Sequence, residues 1–141
     1  MIFLGLDLGS VTCGVALSMT GLIAETYCTV RFKPDDYDTC LDRILEIVEK
    51  EKPDEIVLGL PLHMNGDVGE RAEICLEFGR VLEQESGVKV IMRDERQTTM
   101  DAEAILLEAD LSRKKRKKVI DQMAAVQILQ GYLNSRNNER A

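Results

Sequence analysis

Three acidic positions interrupt apolar stretches of this sequence, and its chemistry starts from them. The first, Asp7, stands near the end of the apolar run at residues 2–8. Read as a strand, that run puts Leu4, Leu6 and Leu8 on one face and Phe3, Gly5 and Asp7 on the other. A carboxylate on a buried strand is costly unless it is paired or bound to a metal. Its same-face neighbours are Gly5 and Gly9, which leave room for a group as bulky as a phosphate. The second position is the pair Asp94-Glu95, directly after the apolar stretch at residues 88–92. Adjacent strand residues point to opposite faces, so one of the two reaches the Asp7 side, and parity leaves open which. Glu95 is taken as the primary candidate and Asp94 as its alternate. The third, Asp121, shares a helical stripe with Ala124, Ala125 and Ile128. Two alanines beside an acid let a helix lie close to a sheet. Each position also has an ordinary reading: a turn-bonded strand end, a loop pair with Arg96, a surface helix residue.

Brought together, three carboxylates repel one another unless a cation neutralises them. Oxygen-only ligation suits Mg²⁺ or Mn²⁺, which keep waters and take phosphate oxygens as further ligands. Such ions activate water and stabilise the leaving oxygen in phosphodiester cleavage. Competing chemistries are poorly served. His63 is the only histidine, in a glycine-bearing loop where a turn or surface role is commoner than a base. The four cysteines, Cys13, Cys28, Cys40 and Cys75, form no C-x-x-C pair and read as buried, reduced thiols of a cytoplasmic protein.

A net charge of −7 is unusual for a partner of nucleic acid. Six of the eighteen cations, however, fall in one run: Arg113, Lys114, Lys115, Arg116, Lys117 and Lys118. The other twelve face twenty-five acids, a balance of −13, so positive charge is concentrated about one turn before Asp121. Local field decides where a polyanion docks. This run, with Arg93 and Arg96 beside the second acid, is the candidate phosphate-contacting set, which would hold backbone without reading sequence.

The elements needed to position these residues can be read in order. Residues 2–8 and 14–18 form two strands around a Gly9-Ser10 turn, and a weaker third strand spans about 23–30. Leu41, Ile44, Leu45 and Val48 mark a helix over about 37–50, ended by Pro53. A strand at 55–60 follows, then a loop at 61–69 and a helix over 70–85 closed by Gly87. Residues 88–93 form the last strand. Thr98 or Thr99 starts a helix to about 110, and Ser112 caps a final one reaching 134. The order β-β-β-α-β-α-β-α-α predicts one α/β domain over residues 1–141, a mixed sheet with helices on both faces. No apolar run approaches the roughly 20 residues of a membrane-spanning helix, and no signal peptide opens the chain.

The segments GLDLGSVTCGVALS, VLGLPLHMNGDVGERA, DERQTTMDA and KKVIDQMAAVQILQGYL occur in the order and at about the spacing of the YqgF family, also called RuvX. This resemblance covers nearly the whole chain. It implies an RNase H-like fold, a five-stranded mixed sheet with the third strand antiparallel at an edge, and a nuclease related to RuvC resolvases. It also implies a bacterial cytoplasmic role, either 5′ maturation of pre-16S rRNA or resolution of branched DNA junctions, and puts the family's acids at Asp7, within Asp94-Glu95, and at Asp121. The chain departs from the family pattern at Thr12-Cys13, where a basic residue and Ile are usual, at Met19-Thr20 and at Gln97. Two other readings remain: the first segment also resembles the phosphate loop of the actin/Hsp70/sugar-kinase superfamily, whose enzymes need two lobes, and the fold could serve as a non-catalytic nucleic-acid-binding module. A monomer and a homodimer are both open, junction cleavage favouring the dimer.

Overall fold

The computed structural model describes residues 1–62, 68–94 and 113–140, and within 113–122 and at 140 the backbone alone. Five strands form one sheet: β1 (Phe3–Leu8), β2 (Thr12–Ser18), β3 (Glu25–Arg31), β4 (Glu55–Leu60) and β5 (Lys89–Asp94). Their order is β3-β2-β1-β4-β5. The first three run antiparallel, while β4 and β5 join parallel to β1. The sheet is therefore mixed, as the order of the elements predicts, with β3 at an edge, as the family resemblance implies. Helices α1 (Tyr37–Glu51), α2 (Glu70–Ser86) and α3 (Arg113–Arg140) complete the described elements. The helix expected over about 98–110 lies outside the described residues.

Both sheet faces are dry, and the alternation of β1 explains why. Leu4, Leu6 and Leu8 join Val15, Ile56 and Leu58 against Ile44 and Val48 of α1 and Phe78 and Leu82 of α2. Phe3 turns the other way, to pack with Ala16 and Val57 under Ala125, Ile128, Leu129 and Leu133 of α3. Each fully buried leucine or isoleucine in these layers is worth about 1.5–3 kcal/mol. Helix ends follow their local chemistry. Asp36 caps α1 by accepting from the Thr39 backbone N–H at 3.3 Å, and Lys52, at φ 51°, ends it ahead of Pro53. Gly87, at φ 74°, closes α2 with its N–H on the Glu83 carbonyl at 2.9 Å.

Three boundaries differ from the sequence reading by two residues or more: β2 starts at Thr12 rather than at residue 14, and the other two differ for a tertiary reason. The third strand starts at Glu25 rather than near residue 23, leaving Leu22 and Ile23 exposed in the preceding turn. Gln130 of α3 fixes that turn, donating to the Leu22 carbonyl and accepting from the Ala24 N–H, both at 2.8 Å. The last helix continues six residues past 134, through a polar stretch without apolar periodicity. Arg136 anchors it, pairing with Glu55 at 3.8 Å and lying 5.0 Å over the Phe3 ring. Asn137 adds a bond to the Gly21 carbonyl at 3.2 Å.

Candidate functional site

Asp7 lies on the sheet face covered by α3, one residue from the end of β1, and is half-buried. Pairing puts Gly14 of β2 directly across from it, and Gly14 in turn faces Thr29 of β3. On the other side β1 and β4 pair through Leu6 and Leu58, so Gly59 is next to Asp7 in register, and Gly59 pairs with Arg93 of β5. One row thus crosses all five strands as Arg93, Gly59, Asp7, Gly14 and Thr29. The carboxylate has glycine on both neighbouring strands as well as at Gly5 and Gly9 on its own. The space over Gly5 is taken by α3 and not left for a phosphate, since Leu129 and Ala125 close on it, and the Thr12 carbonyl closes on Gly9. The hard oxygens of Asp7 fit Mg²⁺ or Mn²⁺ better than softer metals.

Helix α3 approaches this row closely because of what both partners lack. A Cβ at Gly5 would stand 2.7 Å from the Leu129 Cβ and 3.1 Å from the Ala125 carbonyl oxygen. Ala124 and Ala125 are fully buried. The helix runs opposite to β1: Phe3 stacks with Tyr132 at 6.2 Å between centroids, and Gly5 meets Leu129 and Ala125. Two further strand residues advance about 6.6 Å and one helical turn about 5.4 Å. The same track brings the helical backbone at position 121 level with Asp7. The side chain of Asp121 lies outside the described residues, as do those of Arg113, Lys114, Lys115, Arg116, Lys117 and Lys118, whose backbone forms the first turns of α3. Glu95, Arg96 and His63 lie outside them altogether. Among the described residues no group of three or more Asp, Glu, His or Cys is gathered to hold a metal, which leaves Asp7 as the one predicted ligand whose side chain can be placed.

The register of β5 separates two of the residues that the sequence offered there. Asp94 pairs with Leu60, so with Leu58 and Met92 it belongs to the α1/α2 face, away from Asp7. Arg93 belongs to the Asp7 face, two strands away. It is half-buried, and its guanidinium covers Gly131 of α3: a Cβ there would stand 2.9 Å from Arg93 Nη2. The candidate phosphate contact and the candidate ligand therefore share a face, and Asp94 does not share it with them.

Sequence reasoning gave no part to Gly14, Gly59 or Arg71. The two glycines show their use only once strand register is known. Arg71, in the first turn of α2, donates from Nη2 to the carbonyl of Leu8 at 2.9 Å and from Nη1 to the Tyr37 hydroxyl at 2.6 Å. The residues GERA around it marked a motif without indicating that bond. Behind the site, Cys13, Cys40 and Cys75 are buried thiols outside any disulfide, and Cys28 is half-buried. A hydrogen bond with Cys40, burial and the nearby charge of Asp7 push the Cys13 thiol well above its ordinary value. On the far face, a groove of about 430 Å³ between α1 and α2 is lined by Leu41, Ile74 and Phe78 and rimmed by Asp38, Glu70, Glu73 and Glu77. Among the described residues no cation lines it, so that face repels a polyanion and the α3 face remains for one.

Comparison with known proteins gives this arrangement its family. The model of the RuvX family, described as Holliday junction resolvase, matches residues 1–135. A protein of Bacillus subtilis (strain 168) named "Putative pre-16S rRNA nuclease" is 51% identical over 138 residues, 97% of this chain and 100% of its own length. Among solved structures, Thermus thermophilus RuvC in complex with a Holliday junction substrate superposes with a TM-score of 0.64 at 18% identity, covering 98% of this chain and 96% of its own. That likeness establishes the RNase H-like fold. The ROK hexokinase of T. thermophilus reaches a TM-score of 0.51 at 20% identity, but this chain spans only 38% of it. The kinase likeness is thus to part of a larger enzyme. Sheet order, glycine-flanked aspartate and family match agree: the chain belongs to the RuvX family of nucleases, phosphodiester-cleaving hydrolases on an RNase H-like fold.

Proposed function

We propose that this chain is a divalent-metal-dependent endonuclease acting on structured RNA, and that its reaction is processing of the 5′ end of pre-16S rRNA in the cytoplasm. One observation carries the chemistry: a half-buried carboxylate, Asp7, on a strand end cleared by glycines and facing the helix that bears Asp121. The substrate rests on the names of relatives matched over their full length. Asp7, Glu95 and Asp121 would hold Mg²⁺ or Mn²⁺. Strand alternation favours Glu95 over Asp94, because Asp94 occupies the opposite face. A bound ion supplies a water activated at neutral pH and a counter-charge for the leaving oxygen. The protein's own residues do the rest. The glycine row lets the scissile phosphate approach Asp7, and Arg93 with the cations at 113–118 holds flanking phosphates by charge. No helix among the described residues is long and apolar enough to cross a membrane.

A second reading, resolution of branched DNA, has the fold likeness to a junction-bound resolvase in its favour. A single assay separates the two: precursor rRNA and four-way DNA junctions offered side by side with Mg²⁺ or Mn²⁺, for the wild type, Asp7→Asn and Asp121→Asn. We expect rRNA cleavage that needs metal and is abolished in both variants. Preferred junction cleavage by a dimeric species would select the resolvase. Cleavage undiminished in both variants would refute the site, and binding without cleavage or metal uptake would make the chain a non-catalytic module.

A further inference from the structure

We propose that Arg71 is a positioning residue for the nuclease site, fixing the end of β1 through the backbone of Leu8; this rests on the reading of Asp7 as a metal ligand. The pairing of β1 with β4 runs from Phe3 to Leu6. Asp7 and Leu8 extend beyond it, at the point where the carboxylate must be held still. Arg71 reaches that point from α2, its Nη2 on the Leu8 carbonyl at 2.9 Å. Its other η nitrogen donates to the Tyr37 hydroxyl at 2.6 Å, and its Cζ lies 5.9 Å from the centre of the Tyr37 ring. Tyr37 in turn donates to Asp35 Oδ1 at 3.2 Å.

The same series of bonds returns to the hairpin behind Asp7. The Asp35 N–H donates to the Ser10 carbonyl at 2.9 Å, and the Phe32 N–H to the Val11 carbonyl at 3.0 Å. Asp35 holds φ 60°, a left-handed conformation uncommon outside glycine. Leu8 is thus tied to the first turn of α2, and Ser10 and Val11, in the turn after Asp7, to the segment at 32–35 that leads into α1. A guanidinium suits this role because its rigid planar fork addresses two acceptors at once, which an ammonium on a flexible stem does not. Both η nitrogens bond within the protein, one of them to the strand that bears Asp7. The same peptide unit is held on its other side by the Gly9 N–H on the Thr12 carbonyl at 2.7 Å, and β2 pairs with Asp7 and Leu8. Arg71 supplies the bond on the side that β4 leaves open, and a displacement of the Asp7 carboxylate near 1 Å is worth up to about 100-fold in rate.

The test compares wild type, Arg71→Met, Arg71→Lys, Tyr37→Phe and, as control, Asp7→Asn. For each, Mn²⁺ affinity is measured by calorimetry, kcat and KM on precursor rRNA, and thermal midpoint. Arg71→Met is expected to lower kcat by roughly 10- to 100-fold, to weaken Mn²⁺ binding, and to leave KM and the salt dependence of binding unchanged. Arg71→Lys should fall between it and the wild type. Tyr37→Phe keeps the ring and removes only the hydroxyl, so it should show the same pattern more weakly, even if Arg71→Met fails to fold. Wild-type kcat and Mn²⁺ affinity in a folded Arg71→Met protein would overturn the proposal. An effect confined to KM, with a shallower salt dependence, would also overturn it by making Arg71 a phosphate contact. If wild type and Asp7→Asn bind Mn²⁺ and cleave alike, the reading of Asp7 has failed. If they differ as expected while the Arg71 and Tyr37 variants match wild type, only this inference has.

Discussion

Adding a single methyl at Gly5 tests whether the approach of α3 to the sheet sets both stability and the site. In Gly5→Ala the new carbon would stand 2.7 Å from the Leu129 Cβ and 3.1 Å from the Ala125 carbonyl oxygen. Carbon atoms pack best at about 3.5–4.0 Å, so helix and strand must separate by about 1 Å. Neither neighbour is the far end of a flexible side chain, so rotamer changes bring no relief. Overpacking of this kind costs about 1–3 kcal/mol. Lower chain entropy in the unfolded state returns about 0.4–1 kcal/mol. The net destabilisation, on the order of 1–2 kcal/mol, corresponds to a fall in midpoint of about 3–8 °C for a domain of this size. The same separation shifts the backbone at position 121 away from Asp7, at a cost of up to about 100-fold in cleavage rate. Urea unfolding and rRNA cleavage, assayed far below the midpoint, measure the two effects. A Gly5→Ala protein with wild-type stability and wild-type rate would refute the reasoning.

Gly87→Ala separates stability from site geometry: the position holds φ 74° with nothing within 4 Å, so stability should fall by about 1 kcal/mol while cleavage is unchanged. Thr29→Val removes a buried hydroxyl that has no hydrogen-bond partner among the described residues and should raise stability, measured by urea unfolding, by up to about 1 kcal/mol. The Cys13 thiol is held above its ordinary value of 9.0. The unfolded chain therefore loses this proton first, its contribution to stability is whole below that pH and falls above it, and the native thiol should resist alkylation at pH 8. Replacing Lys114, Lys115, Lys117 and Lys118 by Gln should weaken nucleic-acid binding and flatten its salt dependence, by up to about 0.9 in logarithmic slope for each duplex phosphate no longer neutralised. An unaltered slope would remove the run from the interface.

What could be read in the sequence was what depends on neighbours along the chain. The run at 55–60 gave β4 to the residue, and Gly87 gave the end of α2, because one apolar stretch or one left-handed turn decides each. The face of Asp7 followed from alternation with Leu6 and Leu8. The helix bearing Asp121 was legible from Ala124, Ala125 and Ile128, though not its last turns, which depend on Arg136 meeting Glu55 across the fold. Asp94 was undecidable for the same reason. Its face is set by pairing with Leu60, thirty-four positions earlier, and no local pattern carries that register. Gly14 and Gly59 became part of the site only once register set Gly14 across from Asp7 and Gly59 next in line on the other side.

The division of labour between the two sheet faces explains how so acidic a chain can serve a polyanion. The α1/α2 face carries the larger core and an acidic groove, so it contributes stability and repels phosphate. The α3 face carries small residues where the other carries leucines: Gly5, Gly14, Gly59, Ala124, Ala125 and Gly131. Small residues bury little apolar area and are a poor means of stabilising a domain. Their value lies in letting a helix, a half-buried arginine and the strand that bears Asp7 lie close together on one face. Stability drawn chiefly from one face leaves the other free to trade side-chain bulk for close approach. Substitutions that enlarge side chains on the α3 face should accordingly impair cleavage more than folding, and those that truncate Ile44, Leu58 or Phe78 should do the reverse.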